Sequence, residues 1–115
     1  MGQSVLLQLA RDSISEVLQA QKIIDKDLLL KSYPLLHKQI ATEIKIYLSN
    51  ELRGRYKTET SLSLIEAITV GAKRAAFQSK EFPPLQLSQY LRCEIELILT
   101  TDEGNISERD TPLIS

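Results

Sequence analysis

The stretch Glu43-Ile44-Lys45-Ile46-Tyr47-Leu48-Ser49-Asn50-Glu51-Leu52-Arg53-Gly54-Arg55-Tyr56-Lys57 decides the fold. Ile44, Ile46 and Leu48 alternate with Glu43, Lys45 and Tyr47, and a period of two describes a strand with one buried face. Ser49-Asn50-Glu51 supplies turn chemistry, because short polar side chains bond their own backbone and tolerate tight conformations. Leu52, Gly54 and Tyr56 then alternate with Arg53, Arg55 and Lys57. The two runs read as a hairpin, with Arg53, Arg55 and Lys57 expected together on one face.

Before the hairpin, Leu6, Leu7, Ala10, Ile14, Val17 and Leu18 recur at three- and four-residue steps, which predicts an amphipathic helix over 4–20. Ser4 is suited to cap it. Gln8, Arg11, Asp12, Ser15, Glu16 and Gln19 fall on the rest of the wheel and read as its polar side. Asp25 is placed to cap a short helix through Leu28, Leu29 and Leu30. Tyr33-Pro34 breaks that helix, since a proline biases the preceding residue out of helical geometry.

After the hairpin, Thr60 or Ser61 is expected to open a second long helix whose apolar stripe is Leu64, Ile65, Ile68, Ala72, Ala75 and Ala76. Gly71 and the alanines keep that stripe thin, so the helix axis can approach a sheet closely. Phe82-Pro83-Pro84 stops the element, because neither proline continues a helix. Leu87 to Leu91 suggests one helical turn behind Ser88. Cys93, Ile95, Leu97 and Leu99 alternate with Arg92, Glu94, Glu96 and Ile98 as a third strand. From Asp102 the chain is polar and rich in turn formers, so 102–115 is expected to be a frayed tail behind a single domain over 1–101. The order of elements gives an α+β fold, an antiparallel or mixed sheet with helices on one face.

The 115 residues suit one domain with a modest core, and a formal net charge of -1 removes the global electrostatic case for a nucleic-acid binder. The lone Cys93 excludes an internal disulfide framework and a cysteine-based zinc site, and fits a reducing compartment. No apolar run approaches the ~18 residues of a membrane span, and the N-terminus lacks the pattern of a secretion signal. The expectation is a cytoplasmic protein with no membrane contact.

Few side chains are arranged for chemistry. Arg53, Gly54, Arg55 and Lys57 form the candidate ligand site: guanidinium forks hold phosphate or carboxylate, and a glycine lets a ligand approach the backbone. The competing reading pairs these cations across the sheet with Glu94 and Glu96, each pair contributing ~0.2–1 kcal/mol. Cys93 is in phase with Ile95, Leu97 and Leu99 and points inward, where burial raises a thiol pKa. His37 is the single histidine, so triad and metal chemistry lack parts. Lys73 and Arg74 read as a solvated helix face. No phosphate-binding glycine loop, Walker pattern or nucleophile elbow occurs. No catalytic residue, metal ligand or cofactor is assigned.

In this order and spacing, Leu9-Ala10-Arg11-Asp12-Ser13-Ile14, Leu52-Arg53-Gly54, Ala75-Ala76-Phe77, Phe82-Pro83-Pro84-Leu85 and Ile95-Glu96-Leu97-Ile98-Leu99 resemble the AMMECR-type domain. That family is named after the chromosomal region of a human syndrome. The resemblance spans most of residues 6–101 and covers the N-terminal part of the family domain, which implies that a site built between its two parts is at best half present. The family motif reads Leu-Arg-Gly-Cys-Ile-Gly; this chain has Arg55-Tyr56-Lys57 in place of Cys-Ile-Gly, so the motif's nucleophile is missing. Family members are often encoded beside, or fused to, a dioxygenase-like partner and a radical enzyme.

The sequence therefore predicts a small binding or accessory module that presents the Arg53–Lys57 strand, or an apolar edge, to a protein partner or a second copy. The alternative is an enzyme or anion-binding domain in which Arg53-Gly54-Arg55 holds a phosphate or carboxylate ligand. Nucleic acid is disfavoured by the neutral charge and sparse aromatic content.

Overall fold

The computed structural model describes residues 4–58 and 62–114. Helix α1 (Val5–Leu18) starts behind Ser4, whose hydroxyl accepts from the Leu7 N–H at 3.2 Å. Helix α2 (Lys26–Ser32) starts behind Asp25, whose carboxylate accepts from the Leu28 N–H, and a short 3₁₀ turn (Pro34–His37) follows it. The hairpin is strands β1 (Ala41–Leu48) and β2 (Glu51–Thr58). Ser49 and Asn50 both take positive φ at its turn, the geometry whose twist matches two right-twisted strands.

Helix α3 (Leu64–Phe77) begins behind Ser63; the expected openers Thr60 and Ser61 lie outside the described residues. It ends at Phe77, before the prolines. Helix α4 (Leu87–Arg92) is entered from Gln86 rather than Ser88, and the Gln86 N–H donates to the Gln89 side chain. Strand β3 (Glu94–Thr101) is followed by β4 (Gly104–Arg109), which corrects the expected tail. β4 has one large apolar residue, the exposed Ile106, so it carries no alternation to read; it is held by backbone pairing to β3 and by the residue that follows it.

The sheet is antiparallel with order β2-β1-β3-β4. Thr42, Ile44 and Ile46 of β1 and Ile95, Leu97 and Leu99 of β3 form its inner face, against which α1 and α3 pack. Ile14, Leu36, Leu64 and Ile68 complete a fully buried centre, where each large aliphatic side chain contributes about 1.5–3 kcal/mol. The fold is α+β with the helices against one face of the sheet.

Two polar clasps close this core. Arg11, expected on the polar side of α1, is 1% exposed. Its Nε donates to Asp110 Oδ2 at 2.7 Å and its Nη2 to Asp110 Oδ1 at 3.1 Å. Nη1 and Nη2 reach the carbonyls of Tyr90 and Cys93, and the guanidinium lies 5.2 Å from the Tyr90 ring centre. Asp110 in turn accepts from the Ile95 N–H at 2.7 Å. Burial alone would lower the Arg11 pKa, but the Asp110 hydrogen bond and charge outweigh it and hold it above the ordinary value. The second clasp is Glu16, which accepts from the N–H groups of Ile23 and Ile24 at 2.8 Å each and from Lys73 at 3.2 Å. Partial burial pushes this carboxyl up; the Ile24 and Ile23 donors and Lys73 more than reverse it and leave its pKa lowered.

Removing one member of a buried pair leaves the other charge without compensation, so Asp110→Ala is expected to cost about 3–5 kcal/mol in urea unfolding. The double change Arg11→Met with Asp110→Leu is expected to cost much less than the sum of the single changes. For Glu16, a folded pKa below the unfolded value means that its contribution is present above the ordinary glutamate range of about 4.3. That contribution disappears as pH falls through the lowered folded value. Urea midpoints measured from neutral to acid pH should show this loss in the wild type and a flatter acid limb in Glu16→Gln.

Candidate functional site

The candidate ligand residues lie on β2, an edge strand. Their geometry follows from an irregularity in the hairpin. Ile46 pairs with Gly54 but Tyr47 pairs with Leu52, so Arg53 is an extra residue in β2, a bulge. The bulge takes Arg53 out of the alternation that put it beside Arg55 and Lys57. Its guanidinium instead reaches α4 and the chain before it: Nη2 donates to the Pro83 carbonyl at 2.8 Å and to Gln89 Oε1 at 3.4 Å, and Cζ lies 5.2 Å from the centre of the Phe82 ring.

Gly54 faces inward. A Cβ there would collide with the Ala75 carbonyl of α3, so the glycine serves the close approach of helix to strand, with its bare face already occupied. Gly71 does the same one turn away, where a Cβ would come within 3.2 Å of Ile44 Cδ1. The thin stripe expected on α3 is thus met by a glycine from the sheet.

Arg55 and Lys57 are exposed on the outer face of the sheet. The pairing expected with Glu94 and Glu96 does not form, because β1 lies between β2 and β3. Glu94 is held by Arg109 of β4 at 2.6 Å, and Glu96 accepts from the Tyr47 hydroxyl at 3.0 Å. Lys57 stands opposite Glu43 in register without an ion pair, and Arg55 stands opposite Lys45. Two like charges directly across a sheet oppose folding. Among the described residues neither the Arg55 nor the Lys57 side chain has a hydrogen-bonding or ionic partner.

Beside Arg55, a groove of about 240 Å³ runs between β2 and residues 78–82. Tyr56, Lys80, Glu81 and Phe82 line it with Arg55. Arg74 stacks 5.1 Å from the Tyr56 ring centre and donates to its hydroxyl at 2.6 Å. A larger groove of about 420 Å³ separates α1 from α2, lined by Val5, Leu9, Ile23, Leu28 and Tyr33.

The remaining candidates are set apart from this edge. Cys93 is fully buried and donates to the Tyr90 carbonyl at 3.2 Å, with Arg11 3.5 Å from its sulfur. Burial pushes its thiol pKa up, against the pull of the Arg11 charge. His37 is exposed at the end of the 3₁₀ turn. Lys73 is not merely solvated, since it belongs to the Glu16 clasp.

The order of these elements, the bulged Leu-Arg-Gly strand under a small-residue helix and the aromatic-proline segment that receives Arg53 agree with a match to the AMMECR1 family model over residues 7–112. The chain belongs to the AMMECR1 family. Its structure is similar to the crystal structure of an uncharacterized protein from Pyrococcus horikoshii, with 27% sequence identity and a TM-score of 0.72 over 84% of this chain. The match takes in 49% of that protein, so this AMMECR1 chain spans about half the length of that solved structure. No curated protein matches it.

Within this AMMECR1 domain, sequence reasoning found the cations of β2 but missed Lys80, Tyr56 and Arg74 as their neighbours. The available signal was the aromatic-proline stop: a segment that must turn back after α3 has to pass along the edge that α3 covers. Arg11 was missed for a different reason, although it lies on the helix wheel between Leu7 and Ile14, inside the buried stripe.

Gly54→Ala tests the packing role. The methyl has backbone in front of it, which cannot rotate away, so the variant is expected to lose about 1–3 kcal/mol in thermal or urea unfolding. A variant as stable as the wild type would mean that helix and strand are farther apart.

Proposed function

We propose that this chain is a binding or accessory module of the cytoplasm that recognises an acidic partner through the cationic edge of β2. The observation that carries the reading is Arg55: a cation on an edge strand, opposite Lys45, with no partner among the described residues. Cross-strand pairing does not account for it, and an exposed edge with unpaired backbone groups is a surface other chains can join. The buried free thiol of Cys93 supports a reducing compartment.

A binding role is also favoured over a catalytic one by what the motif strand now carries. Arg55 stands where the family motif has its cysteine, and the one thiol of the chain is sealed in the core. The small-anion alternative through Arg53-Gly54-Arg55 loses support at two of its residues, because Arg53 is engaged with Pro83, Gln89 and Phe82, and α3 covers Gly54. Its support passes to Arg55.

A fluorescein-labelled oligoglutamate peptide tests the proposal in an anisotropy titration at low ionic strength. Binding is expected for the wild type, weakening as salt screens the charges. Arg55→Glu with Lys57→Glu should abolish it while changing stability by no more than about 0.5 kcal/mol, as exposed substitutions do. Undiminished binding in the double variant, or none in the wild type, would reject the cationic edge as a recognition surface.

A further inference from the structure

We infer that the groove between β2 and residues 78–82 is a binding site for a phosphate monoester, held between Arg55 and Lys80. The inference rests on the reading of β2 as a binding edge and names the chemistry that edge takes. Three observations carry it. The first is charge: Arg55 and Lys80 line the groove, and Arg53 and Arg74 lie over the rings of Phe82 and Tyr56 in the same lining, in a chain whose formal net charge is -1. Among the described residues Glu81 is the single acid lining the groove, and it leaves the surplus uncancelled. A monoester phosphate carries about −1.5 to −2 at neutral pH and matches that surplus better than one carboxylate does.

The second observation is size. The groove holds about 240 Å³, below the roughly 300–1,000 Å³ of sites that enclose a drug-sized ligand. It admits a phosphate and the first atoms attached to it. The third is preorganisation. Arg53 and Arg74 are already fixed over the Phe82 and Tyr56 rings, at 5.2 and 5.1 Å. They supply a standing positive field, while Arg55 and Lys80 have no partner among the described residues and are left to meet the ligand. The Arg55 fork suits two phosphate oxygens, Lys80 acts as a point charge on another, and Ser79 belongs to the same lining.

The phosphate can come from a free monoester or from a phosphorylated side chain of an extended segment lying along β2. NMR titrations with N-acetyl phosphoserine amide, ribose 5-phosphate and a heptapeptide centred on phosphoserine separate the two. Saturable shifts at Arg55 and residues 78–82 are expected for all three. Equal affinities indicate a free monoester; a much tighter heptapeptide indicates that the β2 edge takes part.

Arg55→Ala and Lys80→Ala should each weaken binding roughly tenfold, since a hydrogen bond to a charged group is lost. Glu81→Gln should tighten it, and Lys31→Ala, on α2, should leave it unchanged. Affinity should rise between about pH 5 and pH 7, as the second phosphate proton leaves. Equal binding in Arg55→Ala and Lys80→Ala, or an equal loss in Lys31→Ala, would overturn the site. If none of the phosphates binds while oligoglutamate still does, the phosphate assignment falls and the acidic-partner reading stands. If neither class binds, both fall.

Discussion

A single buried guanidinium organises this domain. Arg11 projects from the first helix into a position with almost no solvent and donates from each of its nitrogens. A bare charge there would be strongly destabilising; Asp110, the carbonyls of Tyr90 and Cys93 and the face of the Tyr90 ring offset that cost. Because Asp110 also takes the Ile95 N–H, one ion pair fixes α1, the end of α4, the start of β3 and the residue after β4. Hydrophobic burial supplies most of the stability of such a core. The ion pair specifies which elements meet around it.

Elements with a strong period were readable from sequence, and elements defined by long-range partners were not. The hairpin, the two long helices and β3 carry alternations or stripes that any burial of one face would impose. Strand β4 carries neither, since Ile106 is its one large apolar residue and lies exposed. Its place is set by Asp110, whose partner is in the first helix. Arg11 was misread because a charge on an apolar stripe looks like an imperfection until its counter-charge is known. At the candidate site, residue types were legible but their directions were not. The bulge at Arg53 reverses the expected grouping, and no turn or proline marks it.

The two faces and two edges of the sheet are used very differently. The inner face is dry and aliphatic, and the outer face is wet and mostly charged. On the β3–β4 side the outer charges are matched: Arg109 holds Glu94 and lies 4.2 Å from the Tyr47 ring centre. On the β2 side they are not. Glu94 is taken by Arg109 and Glu96 by the Tyr47 hydroxyl, Lys45 separates Arg55 from Glu96, and Glu43 faces Lys57 rather than Arg55. This asymmetry is a property of strand order. Placing β1 in the centre puts the acidic strand next to β4 and leaves the cationic strand open to solvent.

The same pairing imposes an order in time. Arg11 and Asp110 are 99 residues apart in the chain. At roughly 5–20 residues per second of synthesis, Arg11 is made about 5–20 seconds before Asp110 exists. Throughout that interval the guanidinium has no carboxylate to meet, and the start of β3 lacks the acceptor for its Ile95 amide. Local elements can form early, but the clasp that joins α1 to the start of β3 waits until Asp110 has been made.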